Sequence, residues 1–473
     1  MRNRRKTKII CTIGPSCDSE ETIEEMIKAG MNIARINCSH GTPGDHKKVI
    51  DLIKKVREKL ESPTAIMIDT KGPEIRLGDF SKTVEVKEGD TYTLVSKKVN
   101  GDKKQASVTF PDLFKSLKEG DRVLINDGLV EMVVEDVKST KAECKVVTGG
   151  KLMSHKAINF PGREIKMPYI SDKDKKDIVF GAENGVDYIA CSFVSKGKDL
   201  EQVQKLIGSA GKSDIGLIAK IENQEGIDNL GEICKIADGV MVARGDLGVE
   251  VDFNNLPSVQ KAIINQCRYY GKPVIVATEM LETMSYNERP TRAEVGDLAN
   301  AVYDGAAAVM LSAETAMGKH PVKVVRTMHS IVKASENSAA FKAAKTNVDH
   351  VTQNKNVDAL AHSACVMAHD IGAEGIICFT EGGYTANYIA NFKPTADTVA
   401  VTNSKTSYYK MALYWGVHPF YQDFHDDVYE VMYNTKQFCK DWLKLKKGDE
   451  VIEIVGWARI ARGANNMVQI VKI

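Results

Sequence analysis

One unit recurs along this chain and constrains its fold more than any other feature: a short Val/Ile/Ala-rich run, a patch of small or charged residues, then an amphipathic helical stretch. The apolar runs are Lys8 to Ile13, Asn32 to Ile36, Ala65 to Ile68, Tyr188 to Cys191, Gly216 to Ala219, Gly239 to Val242, Pro273 to Ala277 and Ala307 to Leu311. Short, continuously apolar runs are the mark of parallel strands buried on both faces. Eight of them alternating with helices predict a (β/α)8 TIM barrel, for which ~250 residues is typical. An open doubly wound sheet is the alternative. Against it, polar and charged residues gather just after nearly every strand, where a barrel keeps its active face. Between the strands, Asp18-Ser19-Glu20-Glu21 predicts a capping box opening a helix that Gly30 closes. In the next helix Val49, Leu52, Ile53, Val56 and Leu60 recur at helical spacing.

The spacing breaks once, between Thr70 and Phe193. From Gly72-Pro73 to Pro168 the pattern changes to period-two alternation: Val84-Glu85-Val86, Thr91 to Val95, Val123 to Ile125, Val130 to Val137 and Cys144 to Val147. Turn signals stand at Asn126-Asp127-Gly128 and Gly149-Gly150. This predicts a small all-β domain inserted after the third barrel strand, placed as a lid. After the eighth unit, Ser335 to Val357 reads as a helix running into a linker. A second, open α/β domain follows: a helix from Asp358, strand Gly375 to Phe379, a helix from Thr385, and strands Val399 to Val401, Val451 to Val455 and Met467 to Val471. The expected domains are therefore residues 1–70 and 168–340 for the barrel, 71–167 for the lid, and 341–473 for the C-terminal domain.

Charge excludes several function classes. Lys+Arg number 64 against 63 Asp+Glu, a net charge of +1, so no broad electrostatic surface calls for nucleic acid or an anionic membrane. The longest apolar runs fall far short of the ~20 residues of a membrane helix. The basic start, Met1 to Lys8, is followed by no apolar signal-peptide core, so a cytoplasmic location is expected. None of the ten cysteines is spaced as Cys-x-x-Cys, which argues against structural zinc. Several sit in strand-like runs as small buried hydrophobes.

The strand ends carry the chemistry. Lys220-Ile221-Glu222 follows strand five and Arg244-Gly245-Asp246 follows strand six. Period two sets Lys220 and Glu222 on the same side, and a parallel neighbour can bring Asp246 beside Glu222. Two converging carboxylates make a hard-oxygen site for Mg²⁺ or Mn²⁺, and a lysine beside them adds charge where an anion develops. A structural ion pair at the rim is the other reading, and residue types alone leave both open. Asn37, Ser39, Asp69 and Thr70 end strands two and three; alone they read as turn and cap residues. Thr278-Glu279 and Ser312-Ala313-Glu314 end strands seven and eight and are weak signals singly.

Together these segments resemble one family. Ala34 to Gly41 (ARINCSHG), Ile68 to Arg76 (IDTKGPEIR), Ala219 to Asn223 (AKIEN), Met241 to Gly248 (MVARGDLG), Pro273 to Met284 and Pro290 to Val295 look like pyruvate kinase. The resemblance spans barrel, insert and C-terminal domain. It implies phosphoryl transfer from phosphoenolpyruvate to ADP, giving pyruvate and ATP. It places Mg²⁺ on Glu222 and Asp246, and assigns Lys220 to the phosphoryl group in flight and Arg35 to the phosphate. The backbone at Gly245 and Asp246 would hold the substrate carboxylate, with Thr278 near the enolate carbon and Ser312 with Glu314 in a proton relay. Asn37, Ser39, Asp69 and Thr70 match the family's K⁺ ligands, reversing the cap reading, and Glu74 matches the glutamate of K⁺-dependent members. Nucleotide contacts would come from Asn37, His40, Arg76 and Lys156. Cys38, Glu279 and Ala313 depart from common family forms. Thr380, Glu381, Gly382, Gly383, Tyr384 and Thr385 match a sugar-phosphate effector turn, joined by Arg459 and Arg462 from a second loop that lacks its usual glycines. The family also implies a homotetramer. Two rivals remain: a Mg²⁺-dependent lyase using Glu222 and Asp246 without the K⁺ cluster or Lys156, and a non-catalytic metabolite sensor, which intact Lys220 and Thr278 oppose.

Overall fold

A computed structural model of the chain describes residues 4–343, 355–423, 428–455 and 467–473. Eight parallel strands, numbered one to eight below, close into a barrel: Lys8–Thr12, Ile33–Asn37, Ala65–Asp69, Tyr188–Cys191, Gly216–Ile221, Gly239–Ala243, Val274–Ala277 and Ala308–Leu311. Strand eight pairs with strand one, from Lys8 opposite Ala308 to Cys11 opposite Leu311. The sheet therefore has no free edge, and the open doubly wound alternative falls.

Alternation sorts the barrel residues into two layers. Ile9, Cys11, Ala34, Ile36, Ile66, Ile68, Ile189 and Leu217 pack outward with helix residues such as Ile50, Ile53 and Ile263. Ile10, Ile33, Met67, Ala190, Ile218, Met241, Ile275 and Met310 fill the interior. Each fully buried Ile, Leu or Met among them contributes roughly 1.5–3 kcal/mol. Following the inner row past its last apolar residue reaches Thr12, Arg35, Asn37, Asp69, Ser192, Lys220 and Glu222. The inner row thus turns polar at the C-terminal ends of the strands. At the opposite end Ala412 and Leu413 of the C-terminal domain join the interior cluster, and the Tyr188 hydroxyl donates to the Lys410 carbonyl at 2.6 Å.

The insert between strands three and four has its own core, including Tyr92, Leu94, Val123, Ile125 and Met132. Its main sheet runs in the order Ile75–Arg76, Ala157–Asn159, Arg122–Ile125, Val130–Lys138, Lys141–Thr148, Thr91–Val95 and Gln105–Ser107. The short strands Ile75–Arg76, Gln105–Ser107 and Ala157–Asn159 are too brief to show an alternating pattern. Asn126, Asp127 and Gly128 all adopt left-handed conformations, as their turn signal requires. Gly149-Gly150 is no hairpin turn: Gly150 starts a strand paired with Val86, and a Cβ on Gly149 would stand 2.7 Å from the Val86 carbonyl. That glycine pair answers a close backbone approach instead.

The C-terminal sheet has the order Val417–Tyr421, Asp397–Thr402, Gly375–Phe379, Glu450–Val455 and Met467–Lys472, the last strand antiparallel. Val417–Tyr421 was not expected, because His418 and Pro419 break its apolar run; an edge position tolerates the proline. The helix after strand one is capped by Ser19, which accepts from the Thr22 amide, and ends at Gly30. The expected capping box does not form, since the third helical residue is Thr22, which has no carboxylate to return the bond. The Ser335 to Val357 stretch divides into the end of helix Pro321–Asn337, a short helix Ala339–Ala343 and the start of helix Lys355–Asp370; residues 344–354 lie outside the described residues. The cysteines are free thiols, buried except for the half-buried Cys365. Among the described residues no helix is long and apolar enough to cross a membrane.

Candidate active site

The polar strand ends meet in a cavity of about 140 Å³ lined by Arg35, Asn37, Ser39, Asp69, Thr70, Lys71, Glu74, Ser192, Phe193, Lys220, Glu222 and Asp246. Lys220, the inner residue near the end of strand five, is 9% exposed. An ammonium buried this far is tolerable only if its donors and charge are matched. Its Nζ lies 2.9 Å from Glu222 Oε1 and 3.1 Å from Asp69 Oδ1, and donates to Ser192 Oγ at 2.6 Å. Burial acts against the charged form, but Asp69 and then Glu222 outweigh it and raise the pKa, so Lys220 stays protonated. Asp69, 1% exposed, also accepts from Arg35 Nε at 2.7 Å. Burial alone would raise its pKa; Arg35 and Lys220 together carry it below the usual carboxylate range.

Glu222 and Asp246 are the less compensated acids. Burial pushes Glu222 up to about 7, against the pull of Lys220 and with help from Asp246. Asp246 is raised chiefly by burial, with Lys220 opposing and Glu74 and Asp127 adding repulsion. The two carboxyl groups line the same cavity, near enough to act on each other. Carboxyls so placed offer their oxygens to one divalent cation, so the pair fits a hard metal ion. Among the described residues no group of three or more His, Cys, Asp or Glu is placed so that it could hold a metal ion. A pair of acids suits Mg²⁺, which keeps several non-protein ligands. Asn37, Ser39, Asp69 and Thr70 line the same cavity with oxygen donors alone, suited to a hard monovalent cation. The Asn37 side-chain oxygen accepts from the Ser39 amide at 3.0 Å, and Glu74 accepts from Arg76 Nε at 2.8 Å.

Backbone strain concentrates at the rim. Phe193 follows strand four at φ 53, and its amide donates to Glu222 Oε2 at 2.6 Å. Thr278 and Glu279 follow strand seven at φ 68 and φ 54. Left-handed conformations at such bulky or β-branched residues cost roughly 1–3 kcal/mol each. The turn at Thr278 presents its Oγ1 to the Gly245 amide at 2.9 Å, and Arg244 clamps the Thr278 carbonyl at 2.6 Å. Thr278 therefore does not cap the segment that follows it, whose cap is Leu281; its hydroxyl instead serves a first-turn amide of helix Arg244–Glu250. Ser312 heads the turn Ala313–Ala316 without a side-chain capping bond. Glu314 is buried and accepts from the amides of Ser312 at 2.6 Å and Leu281 at 3.2 Å.

Two family models match the chain: the barrel domain of pyruvate kinase over residues 4–325 and its alpha/beta domain over 358–471. The chain belongs to the pyruvate kinase family. It is 40% identical over 468 residues to the pyruvate kinase of Clostridium acetobutylicum, covering 98% of this chain and 99% of that protein. It is 39% identical over 473 residues to that of Clostridium perfringens, covering 99% and 100%. Among solved structures it resembles a crystal structure of a Cryptosporidium parvum pyruvate kinase, with TM-score 0.92, 35% identity, and 99% and 96% of the two chains covered. The chain is thus a phosphotransferase with the pyruvate kinase fold.

For a pyruvate kinase, the residues expected from the sequence divide into those lining the cavity and those around it. Arg35, Asn37, Ser39, Asp69, Thr70, Glu74, Lys220, Glu222 and Asp246 line it together. Thr278 and Gly245 stand beside it, joined by their hydrogen bond. Ser312, Glu314, His40, Arg76 and Lys156 are not among its lining residues. Arg76 extends to the His155 carbonyl at 2.7 Å within the insert, next to Lys156. Thr380 Oγ1 accepts from the Gly383 amide at 3.0 Å, and Gly383 caps helix Tyr384–Asn391 in a left-handed conformation. Arg459 and Arg462 lie outside the described residues. The sequence reading missed Ser192, which besides meeting Lys220 donates to the Thr70 carbonyl at 2.7 Å. Its position was readable, the inner place just past strand four continuing Tyr188 and Ala190, but a serine there names no chemistry by its type.

Proposed function

We propose that the chain transfers the phosphoryl group of phosphoenolpyruvate to ADP, yielding ATP and pyruvate, with Mg²⁺ (or Mn²⁺) and K⁺ as cofactors. The observation that carries this reading is the buried Lys220 ammonium held among Asp69, Glu222 and Ser192 at the mouth of the barrel. A fixed positive charge in a site of low water content is what a phosphoryl group in flight requires, since that reaction needs positioning and charge more than covalent help. Glu222 and Asp246 would hold the divalent ion, which when bound neutralises the oxygens of substrate carboxylate and enolate. Asn37, Ser39, Asp69 and Thr70 would hold K⁺. Arg35, now paired with Asp69, grips the phosphate. The amides at Gly245 and Asp246 face the substrate carboxylate, and Thr278 protonates the enolate carbon through a relay with Ser312 and Glu314. Asn37, His40, Arg76 and Lys156 bind the nucleotide, the last two from the inserted lid of residues 71–167.

Residues 341–473 are read as the effector and oligomerisation domain of a cytoplasmic homotetramer. A sugar phosphate would sit on the Thr380 to Thr385 turn, where the helix N-terminus favours an anion, with Arg459 and Arg462. Because that domain closes the far end of the barrel, an effector acts through different affinity for two global states. Wild-type enzyme indifferent to every sugar phosphate tried would remove this part of the reading, and sedimentation tests the tetramer.

The assay is pyruvate formation from phosphoenolpyruvate with Mg²⁺ and K⁺, with and without ADP. ADP-dependent turnover is expected. No ADP-dependent turnover would favour the lyase or the sensor; the lyase would still enolise pyruvate and exchange its methyl protons with solvent, and the sensor would not. Glu74→Lys tests the K⁺ site, because a tethered ammonium beside the cluster substitutes for the ion; activity should become nearly independent of added K⁺, and an unchanged requirement would count against the cluster. Thr278→Val should slow exchange of pyruvate's methyl protons with solvent; exchange at the wild-type rate would take Thr278 out of the protonation step.

A further inference from the structure

The inserted domain reaches the short helix that carries Asp246. Asn159 ends the insert strand Ala157–Asn159, and its side-chain amide donates to Glu250 Oε1 at 2.9 Å. Glu250 is the last residue of helix Arg244–Glu250. At the other end of that helix stand Asp246, the Gly245 amide bonded to Thr278, and Arg244, which pairs with Asp297 at 2.6 Å. At 1.5 Å per residue the helix spans only ~10 Å, too short to bend, so it moves as one piece. A pull at Glu250 is therefore felt at Asp246.

A second bridge between insert and barrel is built differently. Lys196 lies 3.2 Å from Glu164 but 2.7 Å from Glu225, and its side chain is 45% exposed. An exposed, shared ion pair is screened and holds little. Glu250 is more deeply placed: burial raises its pKa and the Asn159 hydrogen bond works against that rise. A hydrogen bond to a partly desolvated carboxylate is the stronger kind. The insert also lies near the site at its Asn126 to Gly128 turn, because Asp127 is close enough to act on Asp246.

We propose that Asn159 and Glu250 form a latch that holds the inserted domain over the barrel mouth and passes its position through helix Arg244–Glu250 to Asp246 and the Gly245 amide. Both are positioning residues, and the inference rests on reading Asp246 as a ligand of the metal and the insert as a lid. Its consequence is that lid position and metal-site geometry are one equilibrium, not two.

The test is a double-mutant cycle of Asn159→Ala and Glu250→Ala, read first by amide hydrogen exchange on the ligand-free protein. Each single variant should speed exchange in Ala157 to Asn159 and in Gly245 to Leu247 by ~10-fold, with the double variant no faster than either, because a contact can be lost only once. The KM for ADP should rise by a similar factor and kcat should fall. Glu250→Gln keeps an acceptor in place and should stay near wild type in every readout. Additive effects would overturn the latch; so would exchange that rises in the insert and not in the helix, or in neither. Exchange needs no turnover, so a chain that failed to make pyruvate would sink the proposed function while the latch was still judged on its own data.

Discussion

Lys220→Met should lower kcat by at least ~10²- to 10³-fold, the usual loss for one preorganised electrostatic group, while divalent-ion and phosphoenolpyruvate binding persist. Methionine keeps most of the length of the side chain and removes the charge together with the donors to Asp69, Glu222 and Ser192. Asp69 retains Arg35 at 2.7 Å, so one carboxylate remains paired. Glu222 keeps the Phe193 amide but loses the Lys220 ammonium. The metal-free variant should therefore melt at a lower temperature and recover much of the loss when Mn²⁺ is added, because breaking a buried pair costs about 3–5 kcal/mol and a bound cation replaces the missing charge. Steady-state kinetics and thermal melts with and without Mn²⁺ check both halves. A kcat unchanged within error would take Lys220 out of the chemistry.

Glu222→Gln is expected to weaken Mn²⁺ binding by more than the ~10- to 100-fold typical of outer-shell changes, because it removes a direct anionic ligand. Turnover at ordinary metal concentration should vanish with it. Calorimetric titration of Mn²⁺ reads the affinity without reference to the reaction. The pH dependence follows from the same residue. Burial raises Glu222 to about 7, so below that pH a proton occupies the oxygens the metal needs. Wild-type affinity should fall as pH drops through 7, with proton release on binding, and Glu222→Gln should lose that dependence. Equal Mn²⁺ affinity in variant and parent would move the metal site elsewhere.

How much of this was legible beforehand varies by residue. Lys220 and Glu222 were readable because two positions of one strand carry their own geometry. Asp246 was readable because the next parallel strand is its neighbour. Ser192 was missed although it lies in the same inner row: a serine after a strand carries no chemical signal until Lys220 stands 2.6 Å away. Asn37, Ser39, Asp69 and Thr70 read as loop residues from their types, and only the family resemblance assigns them to a cation. The capping box at Ser19 and the turn at Gly149-Gly150 were misread because short motifs say what backbone is permitted, not which partner arrives. Strand Val417–Tyr421 escaped because His418 and Pro419 suit only an edge, and an edge is a property of the assembled sheet.

The sequence by itself determined the repeated strand and helix unit, the inserted domain, the family and the acidic and basic residues at the strand ends. Those rest on local period and run length, which a linear reading can measure. Only the tertiary structure decided that strand eight closes on strand one and that Phe193 and Thr278 accept left-handed backbone at the rim. It also joined Lys220 to Asp69 across 151 residues of chain and Asn159 to Glu250 across 91. The physical reason is the same in each case: a buried charge is stable only with partners on all sides, and strands far apart in the chain bring those partners together.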